Sequence, residues 1–135
     1  MGAENSTAAF ILQASMSLAM MAFAVVLLSM LFAFVLRWRE LNEYYQHPLP
    51  KQRHFKSLPF SMQAGVYLDI FLRLMLPRKK TGMTGNANAM LAHIDPSQVP
   101  FGMRWPIVGF WGGMLLGLAA QLAFFVAMIY LANVG

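Results

Sequence analysis

Two long stretches of this chain, 8–36 and 106–134, hold no charged side chain, while all ten Lys and Arg residues lie between them, from Arg37 to Arg104. Each stretch is 29 residues, and as a helix rising ~1.5 Å per residue it would reach ~43 Å, against a hydrocarbon core of ~30 Å. The pattern predicts an all-α membrane protein: a two-span transmembrane helical hairpin with a cytoplasmic amphipathic interfacial helix in the connecting loop. Excess length is to be absorbed by tilt, or by helix emerging into headgroups or a partner protein. A soluble fold is a poor alternative, because 59% hydrophobic and 11% charged residues leave two uncharged rods with no polar face.

Basic flanks set orientation, since short loops rich in Lys and Arg stay cytoplasmic. Arg37 and Arg39 close the first run and Arg104 opens the second, whereas 1–7 carry only Glu4 and the far end carries no charged side chain. The expectation is a multi-pass protein of the bacterial inner (plasma) membrane, with both termini periplasmic and the basic loop 37–105 cytoplasmic. The first run is too long, and lacks the basic leader, to be a cleaved signal peptide, so it reads as a retained anchor. Trp38 and Trp105 stand at matching ends of the two runs, where indoles favour the headgroup layer.

A net charge of +5 and a pI near 10.0 point to anionic phospholipid rather than nucleic acid, because the charge is tied to the membrane segments. The expected membrane-surface residues are Arg37, Trp38, Arg39, Arg78, Lys79, Lys80, Arg104 and Trp105. With no cysteine there is neither a disulfide nor a thiolate metal site.

Within the loop, 37–46 reads as a continuation of the first helix, having good helix formers and no breaker. His47-Pro48-Leu49-Pro50 ends it, and 51–59 reads as a basic, extended linker. Segment 60–76 is the amphipathic helix: Ser61, Gly65, Asp69 and Arg73 form an i, i+4 polar stripe opposite Phe60, Ala64, Tyr67, Phe71, Leu74 and Met75. Asp69 and Arg73 are placed to pair along that stripe, for about 0.2–0.5 kcal/mol if exposed. A third span is the weaker reading, since it would carry both charges through hydrocarbon at several kcal/mol. The broad apolar arc marks Tyr67, Asp69, Phe71, Arg73 and Leu74 as a partner-docking face. After Pro77, 81–86 is rich in glycine and asparagine but lacks the Gly-Lys-Ser/Thr ending of a phosphate loop, and reads as a flexible connector. Asp95-Pro96-Ser97-Gln98 then reads as an N-cap, proline at the first helical position and a capping-box glutamine, leading to the second span.

Gly109, Gly113 and Gly117 recur every four residues, with Gly112 beside them, and cut a groove that admits another helix backbone. The groove can take the chain's own first span, a foreign helix or a second copy; in the first span Ser15-xxx-Ala19 is the best small pair. Gln121 lies near the middle of its span, about 12 Å in depth from Gln13, so it is expected to seek a backbone carbonyl or another protein, ahead of a bound ligand such as a quinone, rather than Gln13. Gly109, Gly113, Gly117 and Gln121 form the expected helix-packing set. The twelve methionines supply adaptable packing surface.

No catalytic, cofactor-binding or metal-binding set emerges. His47, His54 and His93 all lie in the loop with Glu43 four residues before His47, yet no Glu-x-x-His or His-x-x-x-His pair occurs, and the runs hold no ionisable group of the kind ion pathways use. The expected role is a non-catalytic accessory or assembly subunit bound to other integral membrane subunits. A homo-oligomeric pore or scaffold built on the glycine face is the alternative, and a membrane cofactor- or metal-binding subunit the second.

Overall fold

The computed structural model describes residues 2–52 and 54–134, with the side chains of residues 51 and 52 excepted. No strand occurs among the described residues. Two helices, Gly2–Leu36 and Phe101–Val134, are long and apolar enough to cross a membrane. The loop expected over 37–105 therefore narrows, because the second helix starts at Phe101, earlier than its uncharged run.

The first helix, α1 (Gly2–Met30), widens into a π-helical segment, Leu31–Leu36, and ends at Arg37, whose φ of −124° is not helical. Helix resumes as α2 (Trp38–Tyr45), so the expectation of one unbroken helix to residue 46 is corrected. The break has a tertiary cause. In the wide turn the Arg37 N–H donates to the Phe32 carbonyl at 2.8 Å, while the carbonyls of Ala33 and Phe34 accept from the Tyr67 hydroxyl and the Lys56 ammonium. Carbonyls at a helix end need partners, and these arrive from outside the segment. Local propensity has no access to that supply.

Gln46, at φ +50°, closes α2 in the left-handed conformation, its N–H bonding to the Asn42 carbonyl. The stretch expected as a helix stop at 47–50 and an extended linker over 51–59 holds two short helical turns instead: α3 (Pro48–Gln52), opened by a proline, and a 3-10 turn, Phe55–Ser57, in which the Lys56 amide donates to the His54 ring. Next comes α4 (Phe60–Met75), the expected amphipathic helix. Its buried side, Gln63, Val66, Tyr67, Ile70, Phe71 and Leu74, faces the chain's own core. The Trp111 indole donates to the Ala64 carbonyl at 3.1 Å, and the Phe71 ring lies beside Gly112. Two turns of α4 thus meet neighbouring positions of the second long helix.

The glycine-rich segment expected as a flexible connector is helical, α5 (Gly82–Met90). Its glycines serve fit: Gly82 takes φ +71° at the helix start, and Gly85 leaves room for the Lys80 backbone passing over it. The Asn88 amide ties α5 to the preceding turn by donating to the carbonyls of Leu76 and Lys79, at 2.8 and 2.7 Å. Asp95 caps as expected, although the helix is only a 3-10 turn, Pro96–Gln98. Its carboxylate accepts from the Ser97 hydroxyl and amide, which hold it below the ordinary carboxylate range.

The second long helix, α6 (Phe101–Val134), carries Pro106 inside it. Proline has no N–H for the Gly102 carbonyl, and the Arg37 guanidinium donates there at 3.4 Å. The core of the cap joins Phe34, Leu41, Tyr45, Tyr67, Ile70, Leu91, Ile107 and Phe110, with Phe34 edge-on to both Tyr67 and Phe110.

Helices α1 and α6 pack antiparallel along their length, from Gly109 beside Ser29 to Tyr130, whose hydroxyl donates to Glu4 at 3.1 Å. The buried residues of α1 are Ala8, Ser15, Ala22 and Ser29; on α6 they include Pro106, Gly113, Ala120 and Ala127. Each set recurs every seven residues, the repeat that keeps one seam facing a partner helix. A Cβ on Gly117 would sit 3.5 Å from that of Ala22, within the span a disulfide bridges. The natural chain has no cysteine, so the double variant Ala22→Cys with Gly117→Cys should oxidise within one chain. A loss of two hydrogens by mass spectrometry, with no dimer on non-reducing gels, checks it. Removing the hydroxyl that caps the π segment, in Tyr67→Phe, should cost about 1–3 kcal/mol, read from thermal unfolding in detergent.

Candidate interaction surfaces

The glycines of α6 face inward. Gly109 abuts Ser29 and Val25; Gly113 lies against Val26 and the Ala22 carbonyl; Gly117 touches Ala22. Of the three occupants weighed from the sequence, the groove takes the chain's own first helix. The buried small residues of α1 recur every seven residues and not at the four-residue spacing of Ser15-xxx-Ala19. That repeat, Ala8, Ser15, Ala22 and Ser29, is present in the sequence. Ser29 is fully buried, and its hydroxyl finds no partner among the described residues.

Gln121 belongs to a different face from these glycines. Both Gln121 and Gln13 are exposed, so neither amide is tucked into the helix pair, and neither forms a hydrogen bond among the described residues. Gln121 borders an open groove between α1 and α6, together with Met16, Met20, Phe23, Met114 and Phe124.

On α4 the expected docking face is corrected. Tyr67, Phe71 and Leu74 are buried in the cap's own core, because the apolar arc that seemed to want a partner closes onto α6 and the π segment. Asp69 and Arg73 do not pair with each other. The Asp69 carboxylate accepts from His47 Nε2 at 2.8 Å; His47 Nδ1 already accepts the Leu49 N–H at 3.1 Å, which leaves the ring proton on Nε2. Arg73 grips the Ile94 carbonyl through Nε and Nη2, at 3.2 and 2.9 Å, and reaches Asn88. Each long-range bond ties α4 to a different part of the loop, and that tertiary gain exceeds what a solvent-exposed i, i+4 pair supplies.

His47 leaves α2 after the left-handed Gln46, so it shares no helical face with Glu43. His93 donates to the Tyr45 carbonyl at 2.6 Å, and the Tyr45 hydroxyl donates to the Met103 carbonyl. Burial raises the Tyr45 and Tyr67 phenols well above their ordinary range, which keeps both as O–H donors. No group of three or more His, Cys, Asp and Glu able to hold a metal occurs among the described residues.

The basic residues divide into two kinds. Arg37 is committed to Glu40 at 2.7 Å and to Gly102, and Arg104 to the Pro96 carbonyl. Trp38 stacks on Phe55 under Arg39 and Lys56, and Trp105 packs edge-on to Phe32. Arg39, Arg78, Lys79 and Lys80 remain exposed, the last three forming one edge beside Met75, Leu76 and Met83, which are 52%, 44% and 64% exposed.

The chain matches no known protein-family model, no curated protein and no solved structure. A side chain on Gly113 would meet Val26 at 2.8 Å. Gly113→Leu should therefore force the long helices apart and destabilise the fold by about 1–3 kcal/mol or more, whereas Gly117→Ala fits in ordinary contact. Thermal unfolding of the two variants side by side checks the difference.

Proposed function

We propose that the chain is a non-catalytic accessory or assembly subunit of a larger membrane-protein complex in the bacterial inner membrane. On this reading α1 and α6 form a transmembrane hairpin, both termini face the periplasm, and the cap built from α2 to α5 lies on the cytoplasmic side against anionic phospholipid.

One observation carries the reading: the polar loop is closed on itself while the apolar helices are left open. Arg37, Lys56, Arg73 and Arg104 are engaged with backbone carbonyls, whereas only 22% and 11% of the most apolar windows of the two long helices are buried. Apolar surface of that extent needs hydrocarbon or other apolar helices around it. Lys and Arg confined to the capped end support the orientation. The edge of Arg78, Lys79 and Lys80 flanked by exposed methionine and leucine combines cation and apolar side chain, as surfaces resting on anionic headgroups do.

The hydrogen bonding of the cap supports a structural role. His47, Asp69, Arg73, His93, Tyr45 and Tyr67 each hold a backbone or side-chain partner within the chain, so the polar groups serve the fold. An energy-transducing assembly such as a respiratory complex is the first class to test, and a secretion or conjugation apparatus the second.

Tagged chain at native expression level, extracted in mild detergent, should carry larger integral membrane subunits in stoichiometric amount, identified by mass spectrometry. Chain recovered free of such subunits rejects the accessory reading.

A further inference from the structure

The groove beside Gln121 has the pattern of a helix-packing seam that none of the described residues fills. Along α6, Met114, Gln121, Phe124 and Met128 stand seven, three and four residues apart, steps that fit the 3.5-residue period of interlocking helices. This seam lies beside the inward repeat of Gly113, Ala120 and Ala127, and its methionines stay open, Met114 at 44% and Met128 at 45% exposed. Across the groove α1 adds Met16, Met20 and Phe23, spaced by four and three and exposed at 55%, 67% and 64%. Both walls of one face therefore have knobs at helix-packing spacing.

Among the described residues, Gln121 is the only polar side chain lining this groove. Acyl chains offer an amide neither donor nor acceptor, so lipid leaves it unpaired. A polar residue at a single position of such a seam sets register and partner. We propose that the occupant is a second copy of this chain, giving a two-fold dimer of hairpins packed as a four-helix bundle around paired Gln121 residues.

The choice of a second copy rests on complementarity and depth. Every copy inserts in the same direction, so an axis along the membrane normal brings α6 beside α6 in parallel, with both Gln121 residues at one depth. An amide carries both a carbonyl acceptor and an N–H donor, so each can donate to the other. No charged residue lies on either wall, so nothing on this face repels its own image. The proposal rests on the transmembrane reading above and adds to it a stoichiometry of two.

The test uses the full chain in phospholipid vesicles, with single cysteines introduced one at a time. Met114→Cys, Gln121→Cys and Met128→Cys should cross-link to dimers on oxidation, while Leu115→Cys and Leu122→Cys, on the other side of α6, should not. Replacing the amide in Gln121→Leu should weaken dimerisation roughly three- to twentyfold, the range measured for hydrogen bonds between membrane helices, and Gln121→Asn should retain most of it. Purified chain that stays monomeric, cross-links that ignore helix face, or a Gln121→Leu dimer as tight as the original would each overturn the proposal. Reaction of Gln121→Cys with a membrane-impermeant maleimide would instead overturn the transmembrane reading, so the two failures are distinguishable.

Discussion

The carbonyls of Ala33 and Phe34 set the terms for the rest of this structure. A long apolar helix that stops at an interface leaves strong acceptors pointing out of its end, and their desolvation without a partner costs more than most single contacts return. Here the π-helical turn presents them sideways, toward Tyr67 and Lys56. Tyr67 can reach only if α4 packs against the helix pair, and Lys56 only if the chain doubles back through the Phe55–Ser57 turn. The negative end of the helix dipole also favours the ammonium placed there. Much of the cap's path follows from supplying those two donors.

A second constraint comes from the other helix of the pair. Pro106 withholds an N–H from Gly102, and Arg37, standing at the break in the first helix, donates to that carbonyl. The same arginine bonds Glu40 at the start of α2. One side chain thus links the end of α1, the first turn of α2 and the start of α6, and the break and the proline are two parts of one joint.

How much of this could be read from the residues depends on whether the cause is local. The two apolar runs, the helix over 60–75 and the Asp95 cap were legible because period, charge and cap chemistry all act within a few residues. The break at Arg37 was not, since nothing in Leu31–Leu36 is a helix breaker and the donors stand at positions 56 and 67. The helix Gly82–Met90 was misread because its glycines look like flexibility until the Lys80 backbone is seen crossing Gly85. Pairing Asp69 with Arg73 failed for the same reason: stripe geometry offers a neighbour, while folding offers His47, Ile94 and Asn88. The apolar arc of α4 was correctly seen as needing cover, and the cover came from the chain itself.

Nearly every bond that fastens the cap runs from a side chain to a backbone carbonyl: Tyr67 to Ala33, Lys56 to Phe34, Arg37 to Gly102, Tyr45 to Met103, Trp111 to Ala64, Arg73 to Ile94. Such a joint is asymmetric under mutation. An acceptor position can change its amino acid and still offer the same oxygen, whereas a donor position has almost no substitute of equal reach and chemistry. The cap is therefore most sensitive at six scattered aromatic and basic positions, and far less so at the residues whose carbonyls they hold.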